Sequence, residues 1–257
     1  MVLRRSTAGK VFVLALAPLL CGTAAAQGRG GRGGPAPGPP PTAKASAPFD
    51  ITGYWLSVVT EDWRYRMIAP PKGDYLGIPL NAAGRKLADA WDPAKDEASG
   101  EQCRGYGAPS LLRIPGRIHI TWQDDDTLKL EADAGTQTRT FYFGTPQGQG
   151  GDWQGVSKAF WDVLPAGRGQ KPNGGALKVV TTKLKPGYLR KNGAPYSADA
   201  TLTEYFDRID EPNVDSYLVV TTTVEDPIYL AQPYQTSVHF KKQAGASGWN
   251  PTPCTAK

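Results

Sequence analysis

The chain has 257 residues, with 29 Lys+Arg against 24 Asp+Glu, a formal net charge of +5 and only two His. Six of the basic residues lie in the first 48 positions, which hold no acid, so the remainder carries 23 basic against 24 acidic residues. A body so close to neutrality lacks the electrostatic footprint of a nucleic-acid or anionic-membrane binder.

Met1 to Ala26 reads as a secretory signal. Arg4, Arg5 and Lys10 form a basic start, Val11 to Leu20 a short apolar stretch, and Ala24-Ala25-Ala26 a small-residue cleavage site. The apolar stretch is too short to span a bilayer. Cys21 suggests a lipid anchor, but Leu20 stands where a lipobox carries Gly, Ala or Ser. Residues 27–48 are rich in Gly, Pro and Arg and read as a disordered exported tether. An exported protein, periplasmic or extracellular, is expected, with one β-rich domain over 49–257 and no internal repeat.

Asp50 to Trp63 is the first expected strand, with Trp55, Ser57, Val59 and Glu61 on one side. Its Gly53-Tyr54-Trp55 resembles the first-strand Gly-x-Trp of the lipocalin-like (calycin) barrels. In that family the Trp closes one barrel end beneath an Arg from a late strand. Asn81 to Trp91 is the best helix, with Leu80, Leu87 and Trp91 on one stripe. Asp92-Pro93 ends it and supplies the N-cap and first position of a short second helix. Beyond the signal only Cys103 and Cys254 remain, and an exported chain with two cysteines is expected to join them in a disulfide.

Arg117 to Phe143 contains three runs of alternating polarity, separated by Asp124-Asp125-Asp126 and by Ala134-Gly135. They read as an antiparallel meander. Its core face carries Ile118, Ile120 and Trp122, then Leu128, Leu130 and Ala132, then Gln137, Arg139 and Phe141. His119, Glu131 and Asp133 fall on the wet face. Gly144 to Gly175 is a long Gly/Gln/Pro loop interrupted by Trp153 to Val163; its glycines lack the lysine of a phosphate cradle. A second block, Ala200 to Lys242, supplies three more strands. Its Glu204-x-Phe206-x-Arg208 and Val224 to Pro227 resemble exported bacterial proteins of unknown function, which implies an antiparallel calycin-like fold and no known reaction. The expected fold is mainly β: a single antiparallel calycin/lipocalin-like barrel or strongly curved sheet with one or two short helices.

Arg139 falls among apolar residues, where a charge is costly without a partner. Glu204, between Leu202 and Phe206, has the same difficulty, and Glu61 competes for the same arginine. Either Arg139 and Glu204 form a buried structural pair, or both line a cavity and touch a ligand. In the ligand reading, Trp55, Trp122, Phe141 and Phe206 are walls for a small, largely apolar or aromatic molecule and Arg139 is its anchor. In the enzyme reading, Glu204, Glu61 or His119 is the catalytic base of a lyase, isomerase or hydrolase needing no cofactor, and Arg139 steadies an oxyanion. A third reading is an envelope interaction module with a solid core. His119, His239 and Glu131 are the one grouping with metal-ligand chemistry, at a spacing that does not require it.

Overall fold

The computed structural model describes residues 39–60, 62–164, 174–212 and 214–257. The signal segment, most of the tether and Glu61 lie outside these residues. In chain order the elements are β1 (Gly53–Val58), α1 (Trp63–Arg66), α2 (Ala82–Asp89), α3 (Pro93–Ala98) and α4 (Ala108–Leu111). Then follow β2 (Arg117–Asp124), β3 (Thr127–Ala132), β4 (Gln137–Tyr142), β5 (Val156–Val163), β6 (Gly175–Thr182), β7 (Gly187–Arg190) and β8 (Ala194–Tyr196). The last three are β9 (Thr201–Asp210), β10 (Ser216–Glu225) and β11 (Tyr234–Lys242).

Nine strands close into a barrel in the order β1-β11-β10-β9-β6-β5-β4-β3-β2, while β7 and β8 pair separately. The meander has the register that its alternation predicts: Ile118 lies opposite Ala132, Ile120 opposite Leu130, and Leu130 opposite Arg139. Alternation sends every second side chain inward, so Ile120, Leu128, Leu130, Phe141, Leu177, Phe206, Leu218 and Val220 are fully buried.

The expected all-antiparallel order needs one correction. β4 and β5 are parallel, with Phe141 opposite Ser157 and Tyr142 opposite Lys158. A parallel pair needs a connection long enough to return the chain to the same end, and the Gly- and Gln-rich segment 143–155 provides it. The first strand is also shorter than expected. Asp62 adopts a left-handed backbone (φ 53) that turns the chain into α1, leaving Trp63 exposed.

There are more helices than expected, all short, and they cover one end of the barrel together with the β7–β8 hairpin. Asn81 caps α2 by accepting from the Gly84 amide, and Asp92 caps α3, with Pro93 in its first turn. The expected stripe holds in part: Trp91 is buried and Leu80 packs against buried neighbours, but Leu87 does not join them. Leu87 is exposed, and the buried positions are Gly84 and Ala88. The reason is close approach: a Cβ on Gly84 would lie 2.5 Å from the Tyr229 carbonyl oxygen. Ala88 joins Tyr75, Leu189, Tyr196, Leu202 and Val224 in a second core between cap and barrel. The Cys103–Cys254 disulfide ties the turn after α3 to the C-terminal tail across 151 residues of sequence.

At the other end, Trp55 is fully buried and donates from Nε1 to the Ile51 carbonyl. The cation above its ring is Lys242 of the last strand, 4.4 Å from the centroid. Part of the stretch read as tether is docked. Ala43 is buried; its amide donates to Asp126 Oδ1 at 2.7 Å and its carbonyl accepts from Trp161 Nε1 at 2.8 Å. Two carboxylates are also buried: Asp133, expected on the wet face, and Asp226. Asp133 accepts from the Arg117 amide, and Asp226, in the corner after β10, accepts from the Ser197 amide and hydroxyl and the Ile228 amide.

Candidate functional site

The barrel interior is filled by its own side chains. Trp55, Phe141 and Phe206 have no accessible surface, and Trp122 packs at the edge of the same cluster. Arg139 Nη1 donates to Glu204 Oε1 at 2.9 Å and Nη2 to Glu204 Oε2 at 2.6 Å. Nη2 also reaches Thr181 Oγ1 at 3.2 Å, and the guanidinium lies 4.9 Å over the Phe141 ring. β4 and β9 are separated by β5 and β6 in the sheet, so this bridge crosses the interior. A fork-on-fork pair of this kind occupies both carboxylate oxygens. Of the two roles read for Arg139 and Glu204, the geometry therefore shows the paired one. Both Nη atoms of Arg139 and both oxygens of Glu204 are engaged in the pair, and Arg139 Nε is buried without an acceptor among the described residues.

His119 is held at the surface. It stacks on Tyr54 with ring centroids 3.9 Å apart, and its Nδ1 lies 3.5 Å from Glu131 Oε2. Among the described residues no group of three or more His, Cys, Asp or Glu is placed to hold a metal ion, so His239 does not join this pair.

One cleft lies in the cap. It has a volume of about 420 Å³ and runs between the segment around α1, the end of α4 and strand β7. Tyr65, Met67, Ile114 and Leu189 give it apolar walls; Arg66, Arg113, Arg190 and Lys191 bring positive charge. Four further clefts, of about 280 to 550 Å³, are lined by residues other than Trp55, Trp122, Phe141 and Phe206. Arg139 borders one of about 280 Å³ at the strand β4–β5 crossover.

The cationic residues of the cap cleft are fixed by their neighbours. Arg66 donates to the carbonyls of Arg113 and Val58 and to Ser57 Oγ. Arg113 Nη2 pairs with Asp62 Oδ2 at 3.1 Å, whereas its Nη1 is buried without an acceptor among the described residues. Arg190 donates from both Nη atoms to the Leu76 carbonyl and stacks 4.6 Å over the Tyr65 ring, and its Nε is likewise buried without an acceptor. Lys191 Nζ donates to the Tyr106 hydroxyl, Thr255 Oγ1 and the Lys257 main-chain oxygen. Burial alone raises the Tyr106 pKa, but its hydrogen bonds to Thr255 and Lys191 outweigh that and hold it below the usual phenol value. Buried, unpaired guanidinium nitrogens are not confined to this cleft: Nε of Arg104, Arg117 and Arg139 is buried in the same way, with no hydrogen-bond partner among the described residues.

Arg66, Arg113 and Arg190 come from three distant segments with no shared periodicity, so sequence reasoning did not single them out. One signal was present: Arg113 interrupts the apolar run Leu111-Leu112-Arg113-Ile114, where a charge has to find a purpose.

A neighbouring cluster is structural. Asp96, 5 % exposed, accepts from Trp91 Nε1, Arg104 Nη1 and the Tyr188 hydroxyl. Burial pushes Tyr188 up, and its hydrogen bond to Asp96 adds to this.

No family model, no curated protein and no solved structure matches this chain.

Proposed function

We propose that this is an exported, lipocalin-like barrel protein that binds a small organic molecule in the cleft of its cap. The observation that carries this reading is that cleft, about 420 Å³ of space with apolar walls and converging buried arginines, above a barrel whose interior is full. Ligand sites are concave, mostly apolar and marked by a few placed polar groups, and volumes of about 300–1,000 Å³ are usual. The calycin kinship is supported by Trp55 closing one barrel end under a cation from the last strand, with Lys242 where the family carries Arg. Export is supported by the N-terminal signal pattern and agrees with the disulfide. No helix among the described residues is long and apolar enough to cross a membrane.

The test is a thermal-shift screen of small amphiphiles on the purified protein, repeated on Ile114→Trp, whose bulkier side chain narrows the cleft. A ligand that raises the melting temperature of the wild type but not of Ile114→Trp supports the reading. Hits that act equally on both reject it.

The filled interior favours a second reading, an interaction module without a small-molecule ligand. Exposed Trp63, Met67 and Ile68, beside the same cleft, would then be its contact surface. The absence of any hit in the screen favours this reading.

A further inference from the structure

Resting on the interaction reading of the cap, we infer that the cap cleft and its neighbour form one groove that takes an extended acidic peptide segment of a partner protein. The neighbour, of about 550 Å³, lies between the segment that follows α1 and the corner between α2 and α3. The two clefts share Ala69, Lys191 and Lys257, so a chain laid over those three residues enters both. Each alone has the size usual for one small molecule, and whatever fills both has to be elongated.

Charge selects the kind of chain. Beyond its first 48 positions the protein is near neutral, yet these walls carry seven Lys or Arg and a single acid, Asp92. The three arginines are committed within the fold: Arg113 to Asp62, Arg66 and Arg190 to main-chain carbonyls. The charge open to a partner sits on Lys72, Lys95 and Lys257, which are all exposed. Lys72 Nζ has one acceptor, the Trp91 carbonyl at 3.1 Å, and the ammonium groups of Lys95 and Lys257 have none among the described residues. Each ammonium carries three donors, so carboxylates can be met without breaking a bond of the fold.

The apolar surroundings favour a polypeptide. Met67 and Ile68, at the rim, are 59 % and 69 % exposed, and adjoining exposed apolar residues beside a cleft mark a contact surface. Pro70, Pro71 and Pro93 wall the second cleft. Proline has no N–H to offer a strand ladder, so the segment is held through side chains and not by sheet pairing. A lipid surface would leave both clefts empty, whereas a peptide fills them and reaches the rim.

The experiment pans the purified protein against a displayed library of random peptides of roughly twelve residues, about 40 Å when extended. Enriched sequences are synthesised and their affinities measured by fluorescence anisotropy. They are expected to combine Asp or Glu with apolar residues, and to bind severalfold more weakly at about 500 mM than at about 50 mM salt. Lys95→Ala should weaken binding about threefold, and the double variant Lys72→Glu, Lys95→Glu at least about tenfold. Ile114→Trp should weaken it as well, because the segment occupies both clefts. Enriched peptides without acids, or with equal affinity for the charge-reversed variant, overturn the charge selection. Peptides indifferent to Ile114→Trp overturn the continuous groove. Phosphatidylglycerol vesicles that bind where no peptide does overturn the inference in favour of a lipid surface. No enriched peptide and no amphiphile hit overturns it too, but leaves the interaction reading standing. An amphiphile hit abolished by Ile114→Trp rejects the interaction reading itself.

Discussion

Arg139 and Glu204 face each other across the barrel interior, joined by two N–H···O bonds of 2.9 and 2.6 Å with neither side chain exposed by more than 1 %. The bridge spans two intervening strands, so it links parts of the sheet that hydrogen-bonded pairing alone does not join directly. Truncating Arg139 to Ala leaves Glu204 charged and unpaired in the core, and the expected loss is about 3–5 kcal/mol. The double variant Arg139→Met, Glu204→Gln removes both charges and should recover much of it. Urea unfolding midpoints of the three proteins measure this. A double variant no better than Arg139→Ala contradicts the ion-pair account.

That bridge was readable because strand alternation is strict: Glu204 sits between inward Leu202 and Phe206, Arg139 sits beside inward Phe141 and opposite Leu130, and a charge there has to be answered by another. The disulfide was readable from cysteine count and compartment, and the α3 start from Asp92-Pro93. The parallel β4–β5 pair was not readable. Alternation tells which face a residue takes and says nothing about which strand lies alongside. Asp133 and Asp226 were also missed, because backbone amides satisfy them and such donors leave no trace in side-chain pattern. The cap cleft was missed for a related reason. Its arginines converge only after the α1 segment, α4 and β7 have folded against one another, so position along the chain carries no sign of their meeting.

The Cys103–Cys254 bond closes a loop of 151 residues. In the chain-entropy account such a closure stabilises by up to about 5 kcal/mol. The paired variant Cys103→Ser, Cys254→Ser should unfold at a markedly lower urea concentration than the oxidised wild type. Dithiothreitol should lower the wild-type midpoint and leave the variant's unchanged. A wild type indifferent to reductant contradicts a stabilising role for the bond.

Gly53 precedes Tyr54-Trp55 with φ 99, and a Cβ there would lie 2.9 Å from Lys242 Nζ. Gly53→Ala therefore forces both backbone strain and displacement of the ammonium from the Trp55 ring. The expected cost is about 1–3 kcal/mol. Near-ultraviolet circular dichroism of Trp55 should change along with the unfolding midpoint. An Ala variant as stable as the wild type separates this glycine from the closure of the barrel end.

Tyr196 is fully buried, and its hydroxyl has no hydrogen-bond partner among the described residues. A Cβ on Gly107 would lie 2.1 Å from that hydroxyl and one on Gly187 2.5 Å, so two glycines make the room it occupies. An unpaired buried hydroxyl is a burden, and Tyr196→Phe, which keeps the ring, should stabilise by roughly 1 kcal/mol at neutral pH. Tyr188→Phe should do the opposite, because it removes a donor from buried Asp96. Alkali separates the wild type from Tyr196→Phe further. Burial raises the Tyr196 pKa; Arg104 opposes the shift and Asp152 adds to it. With the folded pKa above the unfolded one, the unfolded chain releases its proton first. The associated stability is complete below about pH 10 and is lost as pH climbs, by up to about 1.4 kcal/mol per pH unit. Phenylalanine has no proton to lose, so the gap between wild type and Tyr196→Phe should widen between pH 9 and roughly pH 11. Urea unfolding at the two pH values measures it. A Tyr196→Phe protein less stable at pH 7, or a gap that ignores pH, means that the hydroxyl has a partner after all.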